Sequence, residues 1–505
     1  MSSRPSRRST SPVGRKERSV AAAGNSAPEP ASTLKRWAPV VLPALAALAI
    51  ARERFADLPW HDEVYTLNVF ATSVGKALTD YHAPNNHVLF SAALALWRDC
   101  TPGDESLLSL RLLPALCFAL SAGVLAAAVR RMAGSAFGAA AGCLFASLHV
   151  TQNFALQLRG YGPSWLPLAG ALWAAVAWIE SPRAALLALF AACAAISVGI
   201  VPTNVFPALA LGAWAAWHAF RRGKRAEAAV FALAPLAGAL FYAAVLPQLG
   251  AQAAGFAPRV TRIEFTLEWI ISLAKDLGWL VPAAAIGLAA LLKRMRVNPA
   301  PGVGAKLGLI LAVAAAALAT AVLLPHAPYP RVLVPALPLF CAAIAILCRE
   351  AIAGFRAVPV HRAGVALAAA AFVIGLAREA AAKAPLPGTR PHSLYLQYFH
   401  RGFRPDLALE SAADAGNGGT VLALTDDADL LALTRAARAF PALDVRYSGT
   451  FAPTARGLAS ARSAVVAVIA TDESSARSAV RMLGAVDLSP VADTGFFKVW
   501  RVTMR

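Results

Sequence analysis

Apolar stretches of roughly 15–24 residues recur along most of the chain, separated by short polar and basic clusters. Runs of that length match the hydrocarbon core of a bilayer when coiled as α-helix. The pattern predicts about eleven transmembrane helices, at approximately 37–51, 106–129, 133–151, 162–180, 184–201, 203–220, 227–247, 274–292, 306–325, 331–348 and 363–379. Between Arg52 and Gly103 the pattern changes. Asp62–Leu78 places Val64, Leu67, Ala71, Val74 and Leu78 on one helical face. Val88–Trp97 is apolar all round but would extend only about 15 Å, half a bilayer core. Both segments read as juxtamembrane helices that do not cross.

Beyond Ala380 charges of both signs appear, with turn signals such as Asn417-Gly418-Gly419. Thr420–Thr425 and Ala464–Ala470 read as buried strands, and Asp427–Phe440 and Ser474–Leu483 as helices. The expected organisation is a disordered basic cytoplasmic tail (residues 1–36), a transmembrane domain (37–384) and a small C-terminal α/β domain (385–505). The apolar segment after the tail lacks a small-residue cleavage site and reads as a span, not a signal peptide.

Composition agrees with a polytopic α-helical membrane protein. Hydrophobic residues make up 58% of 505 and charged ones 15%, against about 45–50% and 25% in soluble domains. The formal charge of +19 would suit a nucleic-acid partner, but the basic residues cluster between spans. If Val88–Trp97 lies at the interface, Arg130-Arg131, Arg221–Arg225, Lys293–Arg296 and the Arg349–Arg362 linker all fall inside, as the positive-inside rule requires. An odd number of spans then leaves the C-terminal domain outside. The outer segments become Arg52–Glu105, Thr151–Tyr161, Gln248–Leu273 and His326–Arg331. Six cysteines, without a CxxC pair, give neither a disulfide framework nor a zinc site.

Ionisable residues are nearly absent from the middles of the spans, which disfavours a transporter path through the bilayer. They gather instead at the outer ends. Trp60-His61-Asp62-Glu63 follows the first span; read structurally, Asp62 would cap the next helix and Glu63 would favour its dipole. Tyr81-His82-Ala83-Pro84-Asn85-Asn86-His87 precedes the short second helix, where His87 could equally be an ordinary interfacial residue. Arg111 lies one turn into a span, where snorkelling is the plain reading. Arg159-Gly160-Tyr161 closes the second outer segment, and Tyr329-Pro330-Arg331 fills the last outer turn. Three arginines and a carboxylate pair on one side suit an anionic ligand beside an acid–base centre.

The segments LPWHDEVYTLNVFA, NNHVLFSAALALW, RLLPALCFAL, LRGYGP and YPRVLVPALP occur in the order found in GT-C class lipid-linked-sugar transferases. The chain resembles the branch containing protein O-mannosyltransferases and the lipid A aminoarabinose transferase, over roughly residues 37–380. The resemblance implies inverting transfer of a sugar from a polyprenyl phosphate to an acceptor hydroxyl outside the cytoplasm, on a protein, lipid or cell-wall glycan. It makes Asp62 the catalytic base, with Glu63 orienting the acceptor or tuning Asp62. Arg111, Arg159 and Arg331 would bind the donor phosphate, and His61, His87, Tyr161 and Tyr329 the substrate. The family often has His-Pro-Pro where this chain has Asn86-His87-Val88, which separates His87 from the family pattern. Arg259, Arg262 and Lys275 could supply another phosphate contact, but read rather as ordinary interfacial basic residues. No cofactor is implied, and Asp62 with Glu63 is too small a set to define a divalent-cation site. The alternatives are a lipid-linked-sugar flippase and a non-catalytic envelope-assembly protein.

Overall fold

A computed structural model describes residues 30–56, 61–83, 86–101, 106–255, 276–297, 300–323, 330–355, 358–382, 405–416, 419–424, 443–447, 465–470, 487–493 and 497–503, with isolated residues between. The chain divides into Met1–Ala38 and Pro39–Arg505. Of the first unit the helical stretch from Pro30 is described. The helix therefore begins seven residues before the expected span, inside the sequence assigned to the tail. Pro30 suits a first helical position, and Ser32–Arg36 contains nothing that breaks a helix.

The helices are α1 (Pro30–Ala51), α2 (His61–Tyr65), α3 (Val74–Thr79), α4 (Val88–Cys100), α5 (Leu107–Ala133), α6 (Ser135–Ser147), α7 (His149–Ala155), α8 (Trp165–Glu180), α9 (Ala184–Ile200), α10 (Val205–Arg221), α11 (Arg225–Ala237), α12 (Leu246–Gly255), α13 (Val281–Val297), α14 (Pro301–Leu323), α15 (Leu337–Ala353), α16 (Val360–Ala382) and α17 (Pro405–Gly416). Among the described residues, each apolar segment read as a span falls mostly on helix. Five helical stretches among the described residues are long and apolar enough to cross a membrane: Leu107–Ala133, Arg225–Gln252, Gly302–Thr320, Leu333–Ala353 and Val360–Ala380. The chain is a multi-pass membrane protein. On α5, Leu108, Leu112, Leu116 and Leu120 stay exposed at four-residue spacing, a stripe that only lipid would satisfy.

The expected span 133–151 is broken. Leu148 adopts an extended conformation, φ −63° and ψ 133°, and α7 starts afresh on its far side. The turn before α6 is made by Gly134, whose φ of +90° disfavours a side chain. The helices close over aromatic contacts: Phe118, Phe145 and Trp165 lie with centroids 5.0–5.9 Å apart. The indole N–H of Trp165 donates to the Val334 carbonyl at 3.0 Å, which ties α8 to the turn before α15.

The C-terminal region holds five strands, β1 (Gly419–Leu424), β2 (Leu443–Tyr447), β3 (Val465–Ala470), β4 (Asp487–Asp493) and β5 (Lys498–Thr503), in the order β2-β1-β3-β5-β4. β1 pairs parallel with β2 and β3, whereas β5 runs antiparallel to β3 and β4. Central β3 is buried on both faces from Ala467 to Ala470, which is why its apolar run was readable. β2, β4, β5 and α17 were not expected. β2 and β4 are edge strands, and β4 carries Asp487, Pro490 and Asp493, residues that weaken any strand signal. The expected helix Asp427–Phe440 lies outside the described residues. Within Ser474–Leu483 only Ala476-Arg477 is described, and it is helical.

Basic clusters lie at the C-terminal ends of α5, α10 and α13, and Arg349 lies near the end of α15. One carboxylate is enclosed there. Glu350, with no side-chain exposure, accepts from Arg294 at 2.5 Å and from Lys306 and Arg349 at 2.6 Å. It joins α13, α14 and α15. Removing one partner of a buried pair costs about 3–5 kcal/mol, discounted to the low end here because Arg294 is half exposed. Glu350→Ala is expected to lower the thermal unfolding midpoint clearly, and Arg294→Ala much less, in melts of the purified protein.

Candidate functional site

After α1 the chain makes a 3-10 turn, Arg52–Ala56, and re-forms as α2 with Asp62 and Glu63 in its first turn. Carboxylates are favoured there by the helix dipole. The amphipathic helix expected over 62–78 is interrupted. It widens into a π-turn over Thr66–Phe70, where the Ala71 N–H donates to the Thr66 carbonyl at 2.8 Å. The Arg98 guanidinium, reaching back from α4, donates to the Leu67 and Ala71 carbonyls at 2.9 and 2.8 Å. Ser73 then caps α3, its hydroxyl accepting from the Lys76 N–H at 3.1 Å. The break comes from a side chain 27 residues away from Ala71, so the apolar spacing alone did not show it.

The two carboxylates of α2 have different surroundings. Glu63 is buried: its Oε1 accepts the Leu158 N–H at 2.8 Å and lies 3.6 Å from Arg111 Nη2. Arg111 Nη1 donates to the Arg54 carbonyl at 2.5 Å and to that of Phe55 at 3.4 Å. With 3% of its side chain exposed, Arg111 does not snorkel. Asp62 keeps 14% exposure, and its Oδ2 forms an ion pair with Arg159 Nη1. It lies within the first turn of α2, which begins at His61, rather than ahead of the helix. The Arg159 guanidinium also lies over the Tyr161 ring, 5.2 Å from the centroid. His87, buried at the start of α4, meets Tyr161 edge to face at 4.8 Å.

Six of the expected site residues, Asp62, Glu63, His87, Arg111, Arg159 and Tyr161, are thus linked through direct contacts or shared elements. His61 opens α2 and Arg331 lies in the 3-10 turn Pro330–Ala336. Tyr329, with Arg259, Arg262 and Lys275, lies outside the described residues. Among the described residues, no group of three or more His, Cys, Asp and Glu side chains is arranged to hold a metal ion.

A further array joins His82, from the polar run noted in the sequence, to Tyr65 and Asp80, which were not singled out. Tyr65, one turn beyond Asp62, shares a 2.5 Å hydrogen bond with His82 Nε2, whose Nδ1 lies 2.6 Å from Asp80 Oδ1. Asp80 also pairs with Lys76 at 2.6 Å. The loop carrying them is clamped from α12. Gln248 accepts from the Tyr81 N–H and donates to the Thr79 carbonyl, and Gln252 donates to the His82 carbonyl. Asn86 adds bonds to the Ala77 and Asp80 carbonyls at 2.8 and 2.7 Å. The sequence signal was the dense polar run 80–87, but its pairing with Tyr65 needed the fold.

Burial of Asp80 works against ionisation, yet hydrogen bonds from Lys76 and His82 more than reverse it and bring the carboxyl down to about 2. An unfolded aspartate titrates near 3.9. The stabilisation is therefore complete above the unfolded value and lost as pH falls through the folded one. Wild type should melt higher than Asp80→Asn at pH 7, and the two should converge by about pH 2.

Gly160 sits where Arg159 and Tyr161 must approach His87. A Cβ there would come within 2.8 Å of both His87 Cβ and Ile200 Cγ2. Gly160→Ala is expected to destabilise the protein by about 1–3 kcal/mol through overpacking, read by thermal unfolding.

No protein-family model and no curated protein matches the chain. Solved structures do. ArnT from Cupriavidus metallidurans bound to undecaprenyl phosphate superimposes with a TM-score of 0.54 at 15% identity, over 92% of this chain and 97% of that one. The same protein in its apo state gives 0.51 at 15%, over 93% and 98%. An Archaeoglobus fulgidus oligosaccharyltransferase, in complex with Zn and sulfate, gives a looser 0.44 at 11%. The chain has the GT-C fold.

Proposed function

We propose that this protein is an inverting glycosyltransferase that moves a sugar from a polyprenyl phosphate to an acceptor hydroxyl at the outer face of the cell membrane. The observation that carries the reading is the division between the two carboxylates of α2. Glu63 is committed to Leu158 and Arg111, while Asp62 retains exposure beside a guanidinium. That pairing sits in a fold shared nearly end to end with an ArnT that binds undecaprenyl phosphate.

In this reading the acceptor O–H gives its proton to an Asp62 carboxylate oxygen as the acceptor oxygen forms a bond to the anomeric carbon. The bond from that carbon to the phosphate oxygen breaks, and its electron pair leaves with the polyprenyl phosphate. The growing negative charge falls to Arg159, already beside Asp62, and to Arg111; Arg331 and Tyr329 add contacts from the last outer turn. Fixed charges in a water-poor site stabilise a departing phosphate without reorganising solvent. Tyr161, His87 and His61 line the substrate. The reaction draws on no cofactor, and a divalent cation held at Asp62 and Glu63 would show as loss of turnover in EDTA.

The basic helix ends are cytoplasmic in this reading, in keeping with the positive-inside rule. The N-terminus is then inside and the C-terminal α/β domain outside the inner membrane, where it could meet a glycan, lipid or protein acceptor. No nucleic acid is involved.

The test is release of polyprenyl phosphate by protein in lipid nanodiscs, given a panel of polyprenyl-phosphate hexoses and pentoses with an envelope extract as acceptor. Wild type is expected to release with at least one donor. Asp62→Asn should lose about 10²–10⁴-fold while keeping its melting midpoint and lipid affinity. Tight lipid binding without release from any donor would favour the flippase or the assembly protein instead.

A further inference from the structure

The buried arginine that holds Glu63 is itself anchored by the backbone at the end of α1. Arg111 Nη1 bonds the Arg54 carbonyl, so the placement of the Arg54 peptide decides where Arg111, and through it Glu63, can sit. The Arg54 side chain does not turn to solvent. Its Nε pairs at 2.6 Å with Glu379 Oε1 on α16, 325 residues away, and the two side chains are only 7% and 9% exposed. Two charges removed from water to that degree persist only if they fix each other.

The neighbouring residue on α16 acts on the other side of the site. Arg378 pairs with Asp276 Oδ1 at 3.1 Å and donates to the Ser147 carbonyl at 2.9 Å. Asp276 Oδ2 in turn accepts the Val150 N–H at the start of α7, at 3.4 Å. α7 leads into Leu158 and Arg159, the residues that meet Glu63 and Asp62. One turn of α16 therefore reaches both chain segments whose junction forms the carboxylate–arginine corner.

We infer that Arg54 and Glu379 are positioning residues, which set Glu63 through Arg111 and thereby the geometry of the Asp62–Arg159 pair. This deepens the transferase reading and rests on it for its catalytic consequence. Neither residue touches the acceptor or donor. Their effect on Asp62 passes through Glu63, so that part should vanish once Glu63 no longer carries a charge, leaving only what Arg111 itself contributes at the phosphate. Removing the Glu379 charge weakens the anchor of Arg54, and the Arg54 peptide shifts relative to Arg111.

The experiment is a double-mutant cycle of Glu379→Gln and Glu63→Gln, in full-length protein in nanodiscs, read by turnover and by thermal unfolding. With coupling, Glu379→Gln alone lowers kcat about 10-fold or more at a donor KM within about twofold of wild type. In the Glu63→Gln background it then lowers kcat by a clearly smaller factor, and the melting shifts are likewise non-additive. Glu379→Asp, which keeps the charge, should recover part of the loss. Glu180→Gln, which removes an exposed partner of Arg131, should leave turnover unchanged. Additive effects in both readouts would overturn the inference. If Glu379→Gln fails to fold, Arg54→Lys enters the same cycle in its place. If wild type releases nothing from any donor, the transferase reading fails, while the melting cycle still decides whether Glu379 and Glu63 are coupled.

Discussion

A carboxylate taken out of water must be matched by a cation, and Glu63 sets that demand at the meeting point of α2, α5 and the segment after α7. Its partner Arg111 is equally buried, so Arg111 needs further acceptors and finds them in the carbonyls of Arg54 and Phe55. Arg54 in turn brings Glu379 from α16. Each charge drawn inward recruits the next, until helices far apart in sequence are held in one arrangement. Asp62 benefits without being locked in the same way. It lies next to Glu63 on a helix that cannot shift, and it keeps contact with solvent while facing Arg159.

The GT-C fold gives this network its setting. Helices packed in lipid gain little from hydrophobic burial against one another, since acyl chains are as apolar as leucine. Specific contacts must choose which helices meet. Here aromatic stacking around Trp165 and the buried ion pairs serve that end. Glu350 performs the same service at the basic helix ends, where it gathers α13, α14 and α15 with one carboxylate and three cations. The contrast between the two clusters is informative. Around Glu350, among the described residues, three cations meet one carboxylate. Around α2, two adjacent carboxylates meet two arginines and only one of the four, Asp62, retains appreciable exposure.

Much of this was legible in the sequence, for identifiable reasons. Long apolar runs marked the helices, because a bilayer demands length and composition together. Asp62 and Glu63 stood out as carboxylates just past a span, and Arg111 and Arg159 as arginines where apolar residues would serve packing better. The fine structure was not legible where a distant side chain decides it. The π-turn at Thr66–Phe70 carries bonds from Arg98, and the break at Leu148 lies between Ser147 and His149, with no Gly or Pro to mark it. Arg54, Asp276, Arg378 and Glu379 looked like ordinary charges at helix ends. Ion pairing across 325 residues leaves no local pattern. Edge strands β2 and β4 were missed because strand identity there comes from the neighbour they pair with, not from alternation of their own residues.

The arrangement of charge also bears on what a lipid-linked ligand would meet. Arg159 is fully enclosed, stacked over Tyr161 and paired to Asp62. A phosphate could draw on it only by competing with Asp62 for the same guanidinium. Such competition would be productive rather than wasteful, because a carboxylate whose cation is shared with an anionic leaving group is left with acceptor capacity for the incoming hydroxyl proton. The guanidinium would then strengthen its hold on the phosphate as negative charge develops there, the condition under which binding energy lowers a barrier rather than deepening the ground state. Rigid placement of Glu63 matters for the same reason. If α2 could follow Arg159 toward the ligand, the ion pair would simply move, and nothing would be gained at the carboxylate. In the proposed transfer, anchoring Glu63 through Leu158 and Arg111 would hold Asp62 in place while Arg159 is shared with the ligand, so the immobile carboxylate would serve the exposed one.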